Sequence, residues 1–474
     1  MNVLYCASEA TPFAASGGLG DVAGSLPRAI RNRKVACRVV LPLYGDMKQE
    51  YREKLTYVTN FSVPVGWRNQ YCGLFELTYD GVKYYFLDNE YYFKRTGLYG
   101  FYDDGERFAF FSRAILEMLF YIDFAPDIIH TNDWQTALVP VYLMLYYRHL
   151  EKYRNIKTVF TIHNIQYQGK YGMEILEDTL AIARHDAHIM EYDGCVNFMK
   201  GAIECCDKVT TVSPSYANEI LDPWYAHGLD GFLRQKQYKL CGILNGIDVK
   251  SYDPATDPNI VANFDANTFA ENKPKCKEEL QEIFGLNKWP VPVVAMVTRL
   301  VGHKGVDLVR HVGQEIINAG MQLVVLGTGE AQYEQYFNEL AARNAGCVGV
   351  KIAFVPSLAR KIYAGADMFL MPSKSEPCGL SQMVALRYGT VPIVRETGGL
   401  RDSIHDSGDG EGNGFTFASY NAHDMLNACM RAKEGYENGE GWAQLVKRAM
   451  ECDFSWSASA KQYVDMYEQV CQLW

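Results

Sequence analysis

The sequence predicts an α/β protein made of two doubly wound domains, each a parallel sheet with helices on both faces. Three observations point there. The chain has 474 residues, 48% of them hydrophobic, which is too long for one ordinary domain and apolar enough for two cores. From Pro292 onward, short runs rich in Val, Ile and Leu alternate with helical segments: "VVAMVT", a helix from Gly305, "QLVVLG", a helix from Glu330, "VGVKIAF", a helix from Pro356, "DMFLMPS", a helix from Cys378, then "VPIVR". Parallel strands need crossover connections, so this alternation reads as repeated βαβ units. The first half repeats the theme more loosely.

In that half the strand candidates are "VLYCAS", "CRVVLPLY", "DIIHTND", "TVFTIHN" and "KVTTVSP", with a helix from about Asp21 to Arg33 after the first. "FELTYDGVKYYFLD" joins two alternating runs through Asp80-Gly81 and reads as a hairpin, an antiparallel insertion in the first domain. Periodicity breaks at "LNGIDVKSYDPATDP", where Gly, Asp and Pro cluster. The expected domains are therefore 1–243 and 244–456, with a final helix within 457–474 that follows the second domain.

Composition narrows the partners. A net charge of -10 argues against nucleic acid or an anionic membrane surface and favours a neutral polymer or a small molecule. Thirteen cysteines without a C-x-x-C pair suggest free thiols in a reducing compartment, with cytoplasm as the expectation. No apolar stretch reaches the ~18 residues of a membrane span, and no His/Cys cluster has metal-ligand spacing.

The stretch "FAASGGLGDV", Phe13 to Val22, places three glycines and an aspartate soon after the first strand. Gly18-x-Gly20-x-x-Ala23 matches a dinucleotide fingerprint only formally, because about eight residues separate the strand end from Gly17, whereas the fingerprint turns tightly from strand into helix. The second strand also ends in "VVLPLY", with no acidic residue to hold a ribose. No Gly-Lys-Ser/Thr follows, which excludes a P-loop. Two readings stay open: an ordinary strand-to-helix turn, or a loop that lets a ligand approach its backbone. Ligands of open α/β sheets bind beyond the carboxyl ends of strands. There lie Ser16 to Asp21, Asp133 and His163 in the first domain, and Arg299, Gly327 to Gly329, Glu376 and Thr397 to Gly399 in the second. Two such edges facing one another would form a deep cleft.

The stretches "SGGLGDVAGSLPRAI", "HTNDWQTAL", "TIHNIQYQG", "LNGID", "TRLVGHKG", "SEPCGLSQMVALRYGTVPIVRETGGL" and "DFSW" run in order along essentially the whole chain. With them the sequence resembles the bacterial glycogen synthase and plant starch synthase family, nucleotide-sugar glucosyltransferases of the GT-B architecture. The resemblance implies two Rossmann-like domains, the first holding mainly acceptor glucan and the second mainly donor, with the last helix packing back on the first. It implies retaining transfer of glucose from ADP-glucose to the nonreducing 4-hydroxyl of an α-1,4-glucan (glycogen, starch or a maltooligosaccharide), with no metal or other cofactor.

The matching residues then acquire roles. A departing sugar diphosphate gains negative charge that cations must meet. Arg299 and Lys304, spaced R-x-x-x-x-K from strand tip to helix start, suit a bidentate guanidinium and a mobile ammonium on one diphosphate. Glu376 is implied beside the sugar ring and His163 at the glucose 6-hydroxyl. Ser16, Gly17, Gly18, Asp21, Asn245, Phe354, Cys378, Gly379, Leu380, Ser381, Thr397, Gly398 and Gly399 are implied donor contacts, Phe354 by stacking on adenine. The amides of Thr397 to Gly399 are expected to point at a phosphate. Asp133 is expected on acceptor or sugar hydroxyls, though it and Asp21 could equally cap helices. The aromatic runs Tyr84-Tyr85-Phe86 and Tyr91-Tyr92-Phe93 are the better candidates for a glucan-contacting surface.

One departure stands out: the family usually carries Lys where Ala15 stands. Losing a charge-assisted contact of roughly 1.5–3 kcal/mol implies donor binding weaker by about 10- to 100-fold unless something replaces it. It leaves open UDP-glucose as donor, a smaller acceptor, or a weakly active glucan-binding homologue.

Overall fold

The structure is a computed structural model and describes residues 1–472. The chain forms two compact units. One comprises Met1–Val212, Ala217–Ile243 and the segment from Trp456, and the other Ser213–Tyr216 and Leu244–Ser455. The short Ser213–Tyr216 segment belongs to the second unit through two anchors: Ser213 Oγ donates to the Pro377 carbonyl at 2.6 Å, and Ser215 Oγ to Asp402 Oδ1 at 2.5 Å.

The main sheet of the first unit has nine strands: β1 (Asn2–Cys6), β2 (Ala36–Pro42), β3 (Thr56–Val65), β4 (Arg68–Tyr79), β5 (Val82–Asp88), β6 (Ile128–Asn132), β7 (Lys157–Ile162), β8 (Lys208–Thr211) and β9 (Leu240–Gly242). They lie in the order β9-β8-β7-β6-β1-β2-β5-β4-β3. The central strands are buried on both faces, as their near-continuous apolar runs require. The β4–β5 hairpin is not a separate insertion. β5 pairs in parallel with β2, Arg38 opposite Lys83 through Pro42 opposite Leu87, so the antiparallel strands extend the main sheet at its edge. Consequently Tyr84, Tyr85, Phe86, Tyr92 and Phe93 are all buried and make core, not a glucan surface; of the two aromatic runs only Tyr91 is exposed. Alternation sends these side chains to both faces of β5, and the helices Gly18–Arg31 and Asp104–Met118 both contact that strand.

The C-terminal helix, Trp456–Cys471, packs into this unit. Trp456, Ala460, Tyr463 and Tyr467 share a core with Val22, Ala23 and Leu26 of the helix Gly18–Arg31, each large side chain contributing roughly 1.5–3 kcal/mol by its burial. Buried His130 meets the Tyr467 hydroxyl through Nδ1 at 2.5 Å and the Thr161 hydroxyl through Nε2 at 2.6 Å, so both its nitrogens are partnered.

The second unit has six parallel strands: β10 (Val293–Val297), β11 (Gln322–Leu326), β12 (Val348–Lys351), β13 (Met368–Met371), β14 (Val391–Arg395) and β15 (Phe415–Phe417), the last not anticipated. Their order is β12-β11-β10-β13-β14-β15. Chain direction across the sheet therefore reverses between β10 and β13, which pair directly, Val294 opposite Met368. The connections leaving a switch point go to opposite faces, opening a crevice at the carboxyl ends of those two strands. In the first unit the corresponding reversal falls between β1 and β6.

Candidate active site

The switch point of the second unit holds a cavity of about 210 Å³. Arg299 and Lys304 reach it from the segment after β10, and Ser373 and Glu376 from the segment after β13. Gly379, Leu380 and Ser381 close it at the start of the helix Ser381–Arg387. Six residues expected from the sequence thus meet in one place. Arg299 is exposed and, among the described residues, makes no ion pair. Lys304 is engaged: its ammonium lies 2.9 Å from Glu376 Oε1 and 2.8 Å from Oε2. Ser373 Oγ donates to Glu376 Oε2 at 2.9 Å. Glu376 is buried, and three charge-assisted contacts compensate that burial.

The backbone under Glu376 is fixed by close approach. Gly398 has φ +47, and a Cβ there would lie 1.8 Å from the Glu376 carbonyl oxygen. The Gly399 amide donates to the carbonyls of Glu376 and Pro377, both at 3.1 Å, and the Thr397 amide to the Arg395 carbonyl at 2.9 Å. These two amides are therefore not directed at a phosphate, contrary to expectation: the Thr-Gly-Gly stretch is buried and lets two loops touch. Gly398→Ala is expected to lower the melting temperature and reduce transfer more than 10-fold, since positive φ alone costs an alanine about 1–2 kcal/mol and the Glu376 loop must also move. Thermal melts and initial rates check this.

Around the same loop, Cys378 is buried, with burial pushing its thiol up to about 12, and the Asn245 amide bonds to it. Asn245 is buried too, and its Oδ1 has no hydrogen-bond partner among the described residues. Phe354 lies beyond the end of β12 at Lys351, in a loop, with 87% of its surface exposed. An aromatic ring so exposed is open to stacking.

The first unit carries its own group. Ser16, Gly17 and Gly18 are exposed at the start of the helix Gly18–Arg31, and nothing lies within 4 Å of where Gly17 or Gly18 would carry a Cβ. Packing does not demand glycine at these two positions, which favours a ligand-facing loop over an ordinary turn. Asp21 does not open that helix as expected. It lies in the first turn with Gly17 as N-cap, where its charge suits the helix dipole.

Asp133 follows β6 with φ +58, an uncommon backbone for a non-glycine residue. Its Oδ1 accepts the His163 amide at 2.8 Å, and although Asp133 precedes the 3-10 helix Trp134–Thr136 its side chain makes no capping hydrogen bond there. The carboxylate therefore holds the His163 segment through Oδ1. Burial raises it to about 7 despite that bond. His163 shares a hydrogen bond with Asn132 Oδ1 through Nε2 at 2.8 Å, and burial lowers its ring to about 3, so it is neutral at physiological pH.

Two residues at these sites escaped the sequence reading. Ser373 stands two residues past β13. Glu9, three past β1, is buried and accepts both the Ser16 amide and the Ser16 hydroxyl, the latter at 2.9 Å, which fixes the glycine loop. Each is a polar residue just beyond a central strand, the position where such side chains reach a site.

Two Rossmann-like α/β units, the second with cations and a carboxylate at its switch point, define a nucleotide-sugar-dependent glycosyltransferase of the GT-B class. Residues 2–235 match the starch synthase catalytic domain family, and residues 278–448 the glycosyl transferases group 1 family. The chain is 53% identical to a glycogen synthase of Geobacillus thermodenitrificans over 99% of this chain and 98% of that one. It is 52% identical to a glycogen synthase of Geobacillus stearothermophilus over the same shares. A solved structure, the catalytic domain of starch synthase IV from Arabidopsis thaliana bound to ADP and acarbose, superposes with a TM-score of 0.90 at 34% identity, covering 99% of both chains. The chain belongs to the bacterial glycogen synthase family. Its activity is that of a glycogen or starch synthase, a glycosyltransferase with a nucleotide sugar and a glucan as substrates. Among the described residues no helix is long and apolar enough to cross a membrane.

Proposed function

We propose that the donor is ADP-glucose, that the acceptor is the nonreducing 4-hydroxyl of an α-1,4-glucan, and that transfer retains the anomeric configuration without a metal. The observation that carries this reading is the convergence of Arg299, Lys304 and Glu376 on one cavity of the second unit. The two cations take the diphosphate. As the bond from the anomeric carbon to the phosphate oxygen breaks, they meet the charge on the leaving group. Glu376 supports the cationic ring, the acceptor oxygen bonds to the anomeric carbon on the face the phosphate leaves, and the acceptor proton passes to the departing phosphate oxygen. His163, neutral and donating Nε2–H to Asn132 Oδ1, offers Nδ1 as an acceptor for the glucose 6-hydroxyl. Phe354 offers its exposed ring to adenine, and Asn245 its unpartnered oxygen to a nucleotide or sugar donor group. ADP bound in the similar starch synthase favours the adenine nucleotide over uridine.

The test is incorporation of labelled glucose into glycogen from ADP-glucose and, separately, UDP-glucose, with and without a chelator. Faster incorporation from ADP-glucose, unchanged by chelator, is expected; label entering from neither donor would remove the reading. Ala15 is exposed, so Ala15→Lys adds a cation without repacking. It is expected to lower the donor KM by about 10- to 100-fold, read from initial rates at saturating glycogen.

A further inference from the structure

The cavity contains a pairing that the proposed reaction must undo. The Lys304 ammonium is bound to both oxygens of Glu376, yet the diphosphate needs that ammonium. Both side chains are mostly buried, Lys304 19% and Glu376 8% exposed, so neither can trade its partner for bulk water. Which of the two moves is decided by the side chains, because the backbone holds both. The Glu376 carbonyl is held by the Gly399 amide, and the Lys374 amide donates to the His303 carbonyl at 2.9 Å. Gly305 packs so close that a Cβ on it would lie 2.0 Å from the Pro372 carbonyl. The segments Pro372–Glu376 and His303–Gly305 thus pin one another, and what remains mobile is side-chain length. Lys304, on a flexible four-carbon stem with three rotatable donors, is the free partner.

Once Lys304 turns to a diphosphate, Glu376 is a buried carboxylate that has lost its cation. Such a group drifts toward water or takes up a proton unless another donor holds it. Among the described residues one other side-chain donor reaches it: the hydroxyl of Ser373, itself 1% exposed, which donates to Oε2 at 2.9 Å. We propose that donor binding exchanges the partner of Lys304 from Glu376 to the diphosphate, and that Ser373 is the positioning residue that keeps the Glu376 carboxylate in place after the exchange. This rests on the reading that Arg299 and Lys304 bind the diphosphate. Ser373 matters little while Lys304 is paired and most when the donor is bound, so its removal acts on turnover and not on donor binding.

The experiment compares Ser373→Ala, Ser373→Cys and Ser373→Thr with the unaltered chain for kcat, donor KM and the ADP dissociation constant by calorimetry. Ser373→Ala, and Ser373→Cys with its weak donor, are expected to lower kcat about 10-fold with donor KM and ADP affinity within about 2-fold. Ser373→Thr, which restores a hydroxyl, is expected to recover most of kcat. A merely structural serine would move thermal stability, KM and kcat together. The proposal is overturned if Ser373→Ala and Ser373→Cys retain kcat within about 2-fold, or if donor binding falls in parallel with it. Lys304→Ala separates the two levels. If it binds ADP as tightly as the unaltered chain, the diphosphate reading itself fails; if it binds ADP weakly while the Ser373 variants turn over normally, only the positioning role fails.

Discussion

Glu376→Gln is expected to cut kcat by about 10²- to 10³-fold while tightening ADP binding. The two effects have one cause. Among the described residues the carboxylate is the one anion paired with Lys304, at 2.8 and 2.9 Å, and it lines the same cavity as Arg299. In the unliganded protein it competes with the diphosphate for the ammonium. Glutamine keeps an acceptor oxygen at nearly the same place but removes the charge, so the ammonium is no longer neutralised before the nucleotide arrives. A charge-assisted hydrogen bond is worth roughly 1.5–3 kcal/mol, so relief of the competition should strengthen ADP binding by about 10-fold. Turnover suffers because the developing positive charge on the sugar loses its nearest anion. Calorimetric titration with ADP and initial rates at saturating glycogen measure both. A variant that turns over within 3-fold of the unaltered chain would show that Glu376 is not needed for chemistry.

That pairing was not legible in the sequence, and the reason is physical. Lys304 and Glu376 are 72 residues apart in sequence, and two strands lie between β10 and β13 along the chain. Only the reversal of strand order makes β10 and β13 neighbours. Local pattern identified each strand from its Val, Ile and Leu run and each polar residue at a strand tip, but not which tips share a crevice. The same limit explains the hairpin. Asp80-Gly81 marked the turn, whereas parallel pairing of β5 with β2 is a long-range choice that also decides that Tyr84, Tyr85 and Phe86 become core. Amide direction failed for a different reason. Thr397, Gly398 and Gly399 do begin a helix, Gly398–Ser403, as a phosphate site would, but close approach of the Glu376 loop gives two of the three amides protein acceptors. Glycine composition alone does not distinguish a loop that admits a ligand from one that admits another loop. At Gly17 and Gly18 the surrounding space is empty, and at Gly398 it holds a carbonyl.

Arg299→Ala and Lys304→Ala are each expected to lower kcat/KM for the donor, and the double variant is expected to lose about 10²- to 10⁴-fold, at roughly 1.5–3 kcal/mol for each charged contact. The two single losses should differ. Arg299 is exposed and without an ion-pair partner among the described residues, so its removal subtracts one cation and leaves the rest of the cavity unchanged. Lys304→Ala also leaves Glu376 without its cation, and an uncompensated carboxylate facing the diphosphate repels it; breaking one side of a buried pair costs more than the pair contributes. Lys304→Ala should therefore be the more severe single change. Adding Glu376→Gln to Lys304→Ala removes the repelling charge. Because the two residues are in contact, their effects should be non-additive: ADP binding should recover part of what Lys304→Ala lost, while turnover stays low because two of the three charges that act on the transition state are gone. Calorimetry for ADP together with donor kcat/KM across the four variants measures this. Equal losses for the two single alanine variants, with no recovery of ADP affinity in the Lys304→Ala/Glu376→Gln chain, would mean that the observed ion pair does not govern donor binding.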